Sequence, residues 1–220
     1  MNKTSSEAKL SLSYTEVIPS GRAATEAMPI VITLHGRGSN GADLAGLAPY
    51  VDGGYRFICP NAPKPFYAAA GMPYGFTWFD GWPPSKSNFE ESRKRLLAFV
   101  DEVRDTFPSN GQVALVGFSQ GAMMALDLAF QMKEAPAAIV AMSGAVNEDA
   151  LPRDSERKDV PILVLHGTQD DVIPVVYARK TRRILEDLGV HPEYQEFPMG
   201  HWVTDESMAL VKEFLGKTLG

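Results

Sequence analysis

The sequence predicts an α/β protein, a mostly parallel central sheet of about seven strands with helices on both faces. Three observations carry this. Strand-like apolar runs alternate with amphipathic helix-like runs along the chain. The central strand runs are almost continuously apolar, so neither sheet face is left to water. With 220 residues, 45% of them hydrophobic, the chain suits one sizeable domain, residues 1–220, without internal repeat or long linker.

The elements follow in order. "KLSLSYTEVI" alternates at period two, as a half-exposed edge strand does. "PIVITLHG" is β-branched and apolar throughout, as a strand buried on both faces. "DLAGLAPYV" reads as a short helix and "YRFICP" as the next strand. Residues 61–88 are rich in Pro, Gly and aromatics, and a loop of that length in a compact domain is expected to be functional or to hide a misread element. "NFEESRKRLLAFVDEVRDTF" places Asn88 at an N-cap, acids in the first turn, and Phe89, Leu96, Leu97, Val100, Val103 and Phe107 at helical spacing. A strand over 112–117 and a helix over 120–132 come next. "AAIVAMSG" and "VPILVLHG" are two further buried strands. "VVYARKTRRILEDLG" is a helix ended by Gly189, "PEYQEFP" a short strand, and "DESMALVKEFLGKTL" a last helix with an acidic start.

Composition excludes several classes. The net charge of -6, with no basic block, argues against a nucleic-acid partner. No apolar run reaches the roughly 18–20 residues that a membrane span needs. The first residues, "MNKTSSEAKLSLSYTEV", lack the apolar stretch of a secretory signal. Cys59 is the only cysteine, which rules out an internal disulfide and a cysteine zinc cluster. A cytoplasmic location is the simplest expectation, and a homodimer stays open as an oligomeric state.

The chemistry centres on "GFSQG", residues 117–121. Between a buried strand and a helix, Gly-x-Ser-x-Gly sets Ser119 on a sharp turn above the sheet, at a helix N-terminus that favours developing negative charge. A serine hydroxyl needs a base. His35 and His166 end buried strands, where a histidine can also simply fix a loop. His191 precedes a strand, at the other edge of the sheet, and reads as a solvated turn residue. His201, in "PMGHWV", follows the last strand and stands where the order Ser, acid, His places a base. The acid that orients it is Asp170 or Asp171, in "LVLHGTQDDVIP". An oxyanion hole needs two preorganised donors. The Gln120 N–H follows the nucleophile, and Gly36 and Gly38 let the "HGRGSN" backbone turn inward and offer the Arg37 N–H.

"LHGRGSN", "CPNAP", "WFD", "GFSQGAMMAL", "HGTQDDVIP" and "GHWV", in this order, resemble the phospholipase/carboxylesterase family of small α/β-hydrolases, which includes bacterial carboxylesterases and acyl-protein thioesterases. The resemblance runs from about residue 28 to the final helix. It implies an α/β-hydrolase fold, Ser119 as nucleophile, Asp170 as acid and His201 as base, with Arg37 and Gln120 as backbone oxyanion donors. It also implies that the 61–84 loop covers the site. Phe66, Tyr67, Tyr74, Phe76, Trp78 and Trp82 then form an apolar cover, or else fill a satellite core. Val172 and Trp202, beside the acid and base, complete the expected lining. The chain departs from the family in a longer, more aromatic segment between "NAP" and "WFD", and in an N-terminal strand that the shortest members lack. The expected activity is carboxylesterase action on short- to medium-chain acyl or aryl esters, without metal or organic cofactor. Acyl-protein thioesterase or lysophospholipase action is the alternative. A peptidase, or a non-catalytic receptor on the same fold, is a more distant rival.

Overall fold

In the computed structural model, residues 2–4, 9–51, 53–67, 71–81, 86–151 and 157–220 are described. Their order is β1 (Asn2–Thr4), β2 (Tyr14–Ile18), β3 (Ile30–Leu34), α1 (Gly41–Ala45), α2 (Ala48–Val51), β4 (Arg56–Pro60), β5 (Lys64–Phe66), β6 (Gly75–Thr77), α3 (Lys86–Thr106), β7 (Val113–Phe118), α4 (Gln120–Gln131), β8 (Ala138–Met142), β9 (Ile162–Gly167), α5 (Val176–Asp187), β10 (Glu193–Phe197) and α6 (Asp205–Leu219). A short 3-10 turn, Glu148–Ala150, lies between β8 and β9.

One sheet has the order β1-β2-β4-β3-β7-β8-β9-β10, and β5 and β6 form a separate hairpin. From β4 to β10 the strands run parallel, while β1 and β2 are antiparallel. All seven strands read from the sequence are present. Pairing places Leu34 opposite Gly117, Phe118 opposite Met142, and Gly167 opposite Phe197. The carboxyl ends of β3, β7, β8, β9 and β10 are therefore level. The loops carrying Arg37, Ser119, Asp170 and His201 all leave from this edge, where open α/β sheets build their sites.

Alternation within each strand feeds two cores. Ile30, Ile32, Leu34, Val113 and Leu115 face α3, α4 and α5, and pack with Leu96, Phe99, Leu126 and Leu185. Val31, Ala114, Val116, Val140 and Leu165 face the other way, toward Ala48, Val51, Val211 and Phe214 of α2 and α6. Each fully buried Val, Leu, Ile or Phe among them stabilises by roughly 1.5–3 kcal/mol before entropy is counted. Helix α4 lies between sheet and α3, and every residue from Gln120 to Phe130 is buried. Its one acid, Asp127, is met by two of the Arg93 guanidinium nitrogens, Nε and Nη2, at 2.6 and 2.7 Å.

Several local readings change. The regular part of "KLSLSYTEVI" is only Tyr14–Ile18, and β1 pairs on its outer side, so β2 is not an edge. Its alternation fails at Glu16, which is buried because it binds the buried Arg56 at 2.9 Å. "DLAGLAPYV" divides into α1 and α2 around Gly46, with Asn40 capping α1 through the Asp43 N–H. Within 61–88 lies the β5/β6 hairpin. Helix α3 begins at Lys86, so Asn88 falls inside its first turn and accepts a hydrogen bond from Lys64 Nζ at 2.6 Å instead of capping.

Candidate active site

Ser119 has φ 55° and ψ -118°, a left-handed backbone that a serine adopts only when its surroundings enforce it. Its N–H is tied to the Met142 carbonyl at 2.9 Å, and its carbonyl accepts from Ala122 and Met123. The flanking glycines have a steric cause. A Cβ at Gly121 would overlap the Leu34 carbonyl oxygen of β3, and one at Gly117 would overlap Gly121. Strand β7 and helix α4 meet too closely for side chains there, and the close approach holds Ser119 above the sheet.

His201 Nε2 stands 3.0 Å from Ser119 Oγ, and His201 Nδ1 stands 2.8 Å from Asp170 Oδ2. The other Asp170 oxygen accepts the N–H groups of Val172 at 3.0 Å and Ile173 at 2.8 Å. With Asp170 buried and accepting at both oxygens, the imidazole is held with Nδ1 protonated and Nε2 free to take the serine proton. Asp171 is exposed. The ring of His201 also rests on Phe118, with centroids 5.0 Å apart. A hydroxyl, an imidazole and a carboxylate so arranged can activate an oxygen nucleophile and move one proton in both directions.

The N–H groups of Arg37 and Gln120 have no acceptor among the described residues. Gly38, at φ 78°, supplies the turn after Arg37. This loop is fastened to the hairpin: Gly38 N–H donates to Phe76 O and Phe76 N–H to Ser39 O, both at 2.8 Å. The Arg37 guanidinium sits 4.8 Å from the Phe66 ring centroid. The Gln120 side chain, whose purpose the sequence did not reveal, accepts from Thr77 Oγ1 and the Trp78 N–H and donates to Phe79 O.

The other histidines have structural partners. His35 Nε2 accepts from the Ala62 N–H at 2.9 Å, so its proton is on Nδ1, directed at Gly36 O. His166 Nε2 donates to Ile173 O at 2.7 Å, which braces the turn carrying Asp170, and lies 3.4 Å from Asp170 Oδ2. His191 is exposed before β10.

The expected aromatic cover separates into parts. Trp78 is wholly buried in the core beside Phe79 and Phe89, with its indole N–H on His35 O, because the peptide around it is clamped by Gln120. It belongs to the main core on the α3 and α4 side of the sheet, neither a satellite core nor a pocket wall. Phe66 and Phe76 are half-buried on the hairpin, Tyr67 and Tyr74 are exposed, and Trp82 lies outside the described residues. Val172 and Trp202 are exposed beside Asp170 and His201. A pocket of about 280 Å³ opens next to His201, lined by Leu44, Leu47, Phe118, Trp202 and Val203, with Asp43. Only Trp202 was anticipated. A signal for one of the others was present: strand alternation turns Phe118 toward α1 and α2. Among the described residues no group of three or more His, Cys, Asp or Glu is placed to hold a metal ion.

This sheet, with a serine on a strained strand-to-helix turn and a histidine delivered from the last strand loop, defines an α/β-hydrolase. The chain belongs to the phospholipase/carboxylesterase family, whose model matches residues 13–219. It is 29% identical over 221 residues to acyl-protein thioesterase 1 of Kluyveromyces lactis, covering 90% of this chain and 96% of that protein. Among solved structures it resembles esterase PE8, at 29% identity and a TM-score of 0.79, covering 94% of this chain and 99% of the other. A carboxylesterase from Mesorhizobium loti shares the fold at a TM-score of 0.82 and 18% identity, covering 98% of this chain and 99% of that one.

Proposed function

We propose that the protein is a serine hydrolase of carboxylic esters acting through an acyl-enzyme, with short- to medium-chain acyl or aryl esters as substrates. The observation that carries this is the hydrogen-bonded row from Asp170 through His201 to Ser119, on a backbone strained at the serine. Ser119 Oγ attacks the ester carbonyl while His201 Nε2 takes its proton. The carbonyl oxygen, now negative, is received by the Arg37 and Gln120 N–H groups. His201 returns the proton to the departing alcohol, which leaves Ser119 acylated. Water, deprotonated by His201, then releases the acid. These steps need no metal or organic cofactor.

A second reading, thioester hydrolysis, is favoured by the likeness to a thioesterase over most of the chain. Both readings use the same residues and differ only in the leaving atom. A cytoplasmic location fits either. Parallel assay of p-nitrophenyl butyrate, an S-acyl thioester and a lysophospholipid distinguishes them. The ester reading expects the highest kcat/KM on the oxygen ester of a short acid. A thioester preference of a hundredfold or more would replace it with the second reading.

A further inference from the structure

We infer that the apolar pocket beside His201 is the leaving-group subsite, fitted to a neutral alkyl or aryl alcohol and unfavourable to an anionic one. This rests on the ester-hydrolase reading above. In that chemistry the departing oxygen must lie within hydrogen-bond reach of His201 Nε2, since it receives the proton there. The group attached to it therefore extends along the His201 side of the site. The pocket of about 280 Å³ is bounded on that side by His201 itself, with Leu44, Leu47, Phe118, Trp202 and Val203. Neither oxyanion candidate, Arg37 or Gln120, lines it. The aromatic hairpin lies against the loop that carries Arg37, with Phe66 against Gly38 and Phe76 bridged to Ser39.

The lining sets the chemistry. Phe118 packs against the imidazole and forms one wall, so base and pocket share a side chain. Trp202 is 57% exposed although it is large and apolar, and an alcohol seated here covers it. Asp43 is the one acid on the lining. Its carboxylate is fixed by Ser39 Oγ at 2.6 Å and Asn40 Nδ2 at 3.2 Å, so it does not swing away from an approaching anion. A carboxylate or phosphate on the alcohol meets like charge there.

Ethyl, benzyl and 4-carboxybenzyl butyrates test this with one acyl group and alcohols of similar basicity. Benzyl ester should exceed ethyl ester in kcat/KM by about tenfold, the discrimination that an apolar pocket supports, and the carboxylate should remove most of that gain. Leu47→Trp and Val203→Trp each fill the pocket and should bring the benzyl-to-ethyl ratio toward one. Asp43→Asn should raise 4-carboxybenzyl relative to benzyl. Melting curves select the variants that fold. Equal rates on ethyl and benzyl esters overturn the assignment, as does a benzyl-to-ethyl ratio untouched in a folded filled variant. An altered dependence on acyl length instead makes the pocket an acyl subsite and also overturns it. Failure of the ester-hydrolase reading is a separate result: Ser119→Ala would then hydrolyse all three esters at the wild-type rate.

Discussion

Gln120 Oε1 accepts the Trp78 N–H at 3.1 Å and so ties the residue after Ser119 to the segment that follows the aromatic hairpin. The same amide holds Phe79 O, and Trp78 in turn donates its indole N–H to His35 O at the end of β3. The Ser119 turn, the hairpin and the loop after β3 are thus one hydrogen-bonded unit.

Gln120→Ala keeps the backbone N–H but strands the buried Trp78 N–H. A loss of about 1–3 kcal/mol in stability is expected, read from urea titration. An unchanged midpoint would show that the amide does not hold this unit together.

Asp170 and Asp171 are neighbours in sequence with opposite surroundings: the first buried against His201, the second exposed. Asp170→Asn should lower kcat on the order of 10³–10⁴-fold, by favouring the wrong imidazole tautomer. Asp171→Asn should stay within about twofold, as surface changes do. Steady-state assay of both settles the position of the acid, and the reverse order would move it by one residue.

His35 and His166 are fully buried, and loss of hydration pushes both pKa values below the ordinary imidazole range. Their hydrogen bonds to Gly36 O and Ile173 O act the other way without cancelling this. The folded state therefore binds fewer protons than the unfolded chain once pH falls below about 6.5. Stability from these two groups is complete above that pH and is lost as pH falls toward their folded values. Urea midpoints should drop from pH 7.5 to pH 5.5, and His35→Asn should flatten part of the slope. A midpoint that rises on acidification, or an identical slope in the variant, contradicts it.

The buried parallel strands were legible because their runs are apolar at every position, and α4 because Gly117 and Gly121 mark its entry. The pairing of Ser119 with His201 was legible from order along the chain. The choice between Asp170 and Asp171 was not available from residue type, since it depends on which carboxylate turns inward onto the Val172 and Ile173 N–H groups. The choice for Trp78 between pocket cover and core was undecided for a similar reason. An aromatic in a Gly- and Pro-rich stretch reads as surface, while its burial is enforced by Gln120, 42 residues later. Glu16 broke the period of β2 because its partner, Arg56, belongs to the neighbouring strand.

Labelling with an active-site fluorophosphonate, followed by peptide mapping, tests the central claim most directly. The geometry of Ser119 and His201, 3.0 Å apart, predicts one adduct, on Ser119, with loss of p-nitrophenyl butyrate hydrolysis in proportion to labelling and no adduct in Ser119→Ala. An adduct on another residue, or full hydrolysis by Ser119→Ala, would contradict it.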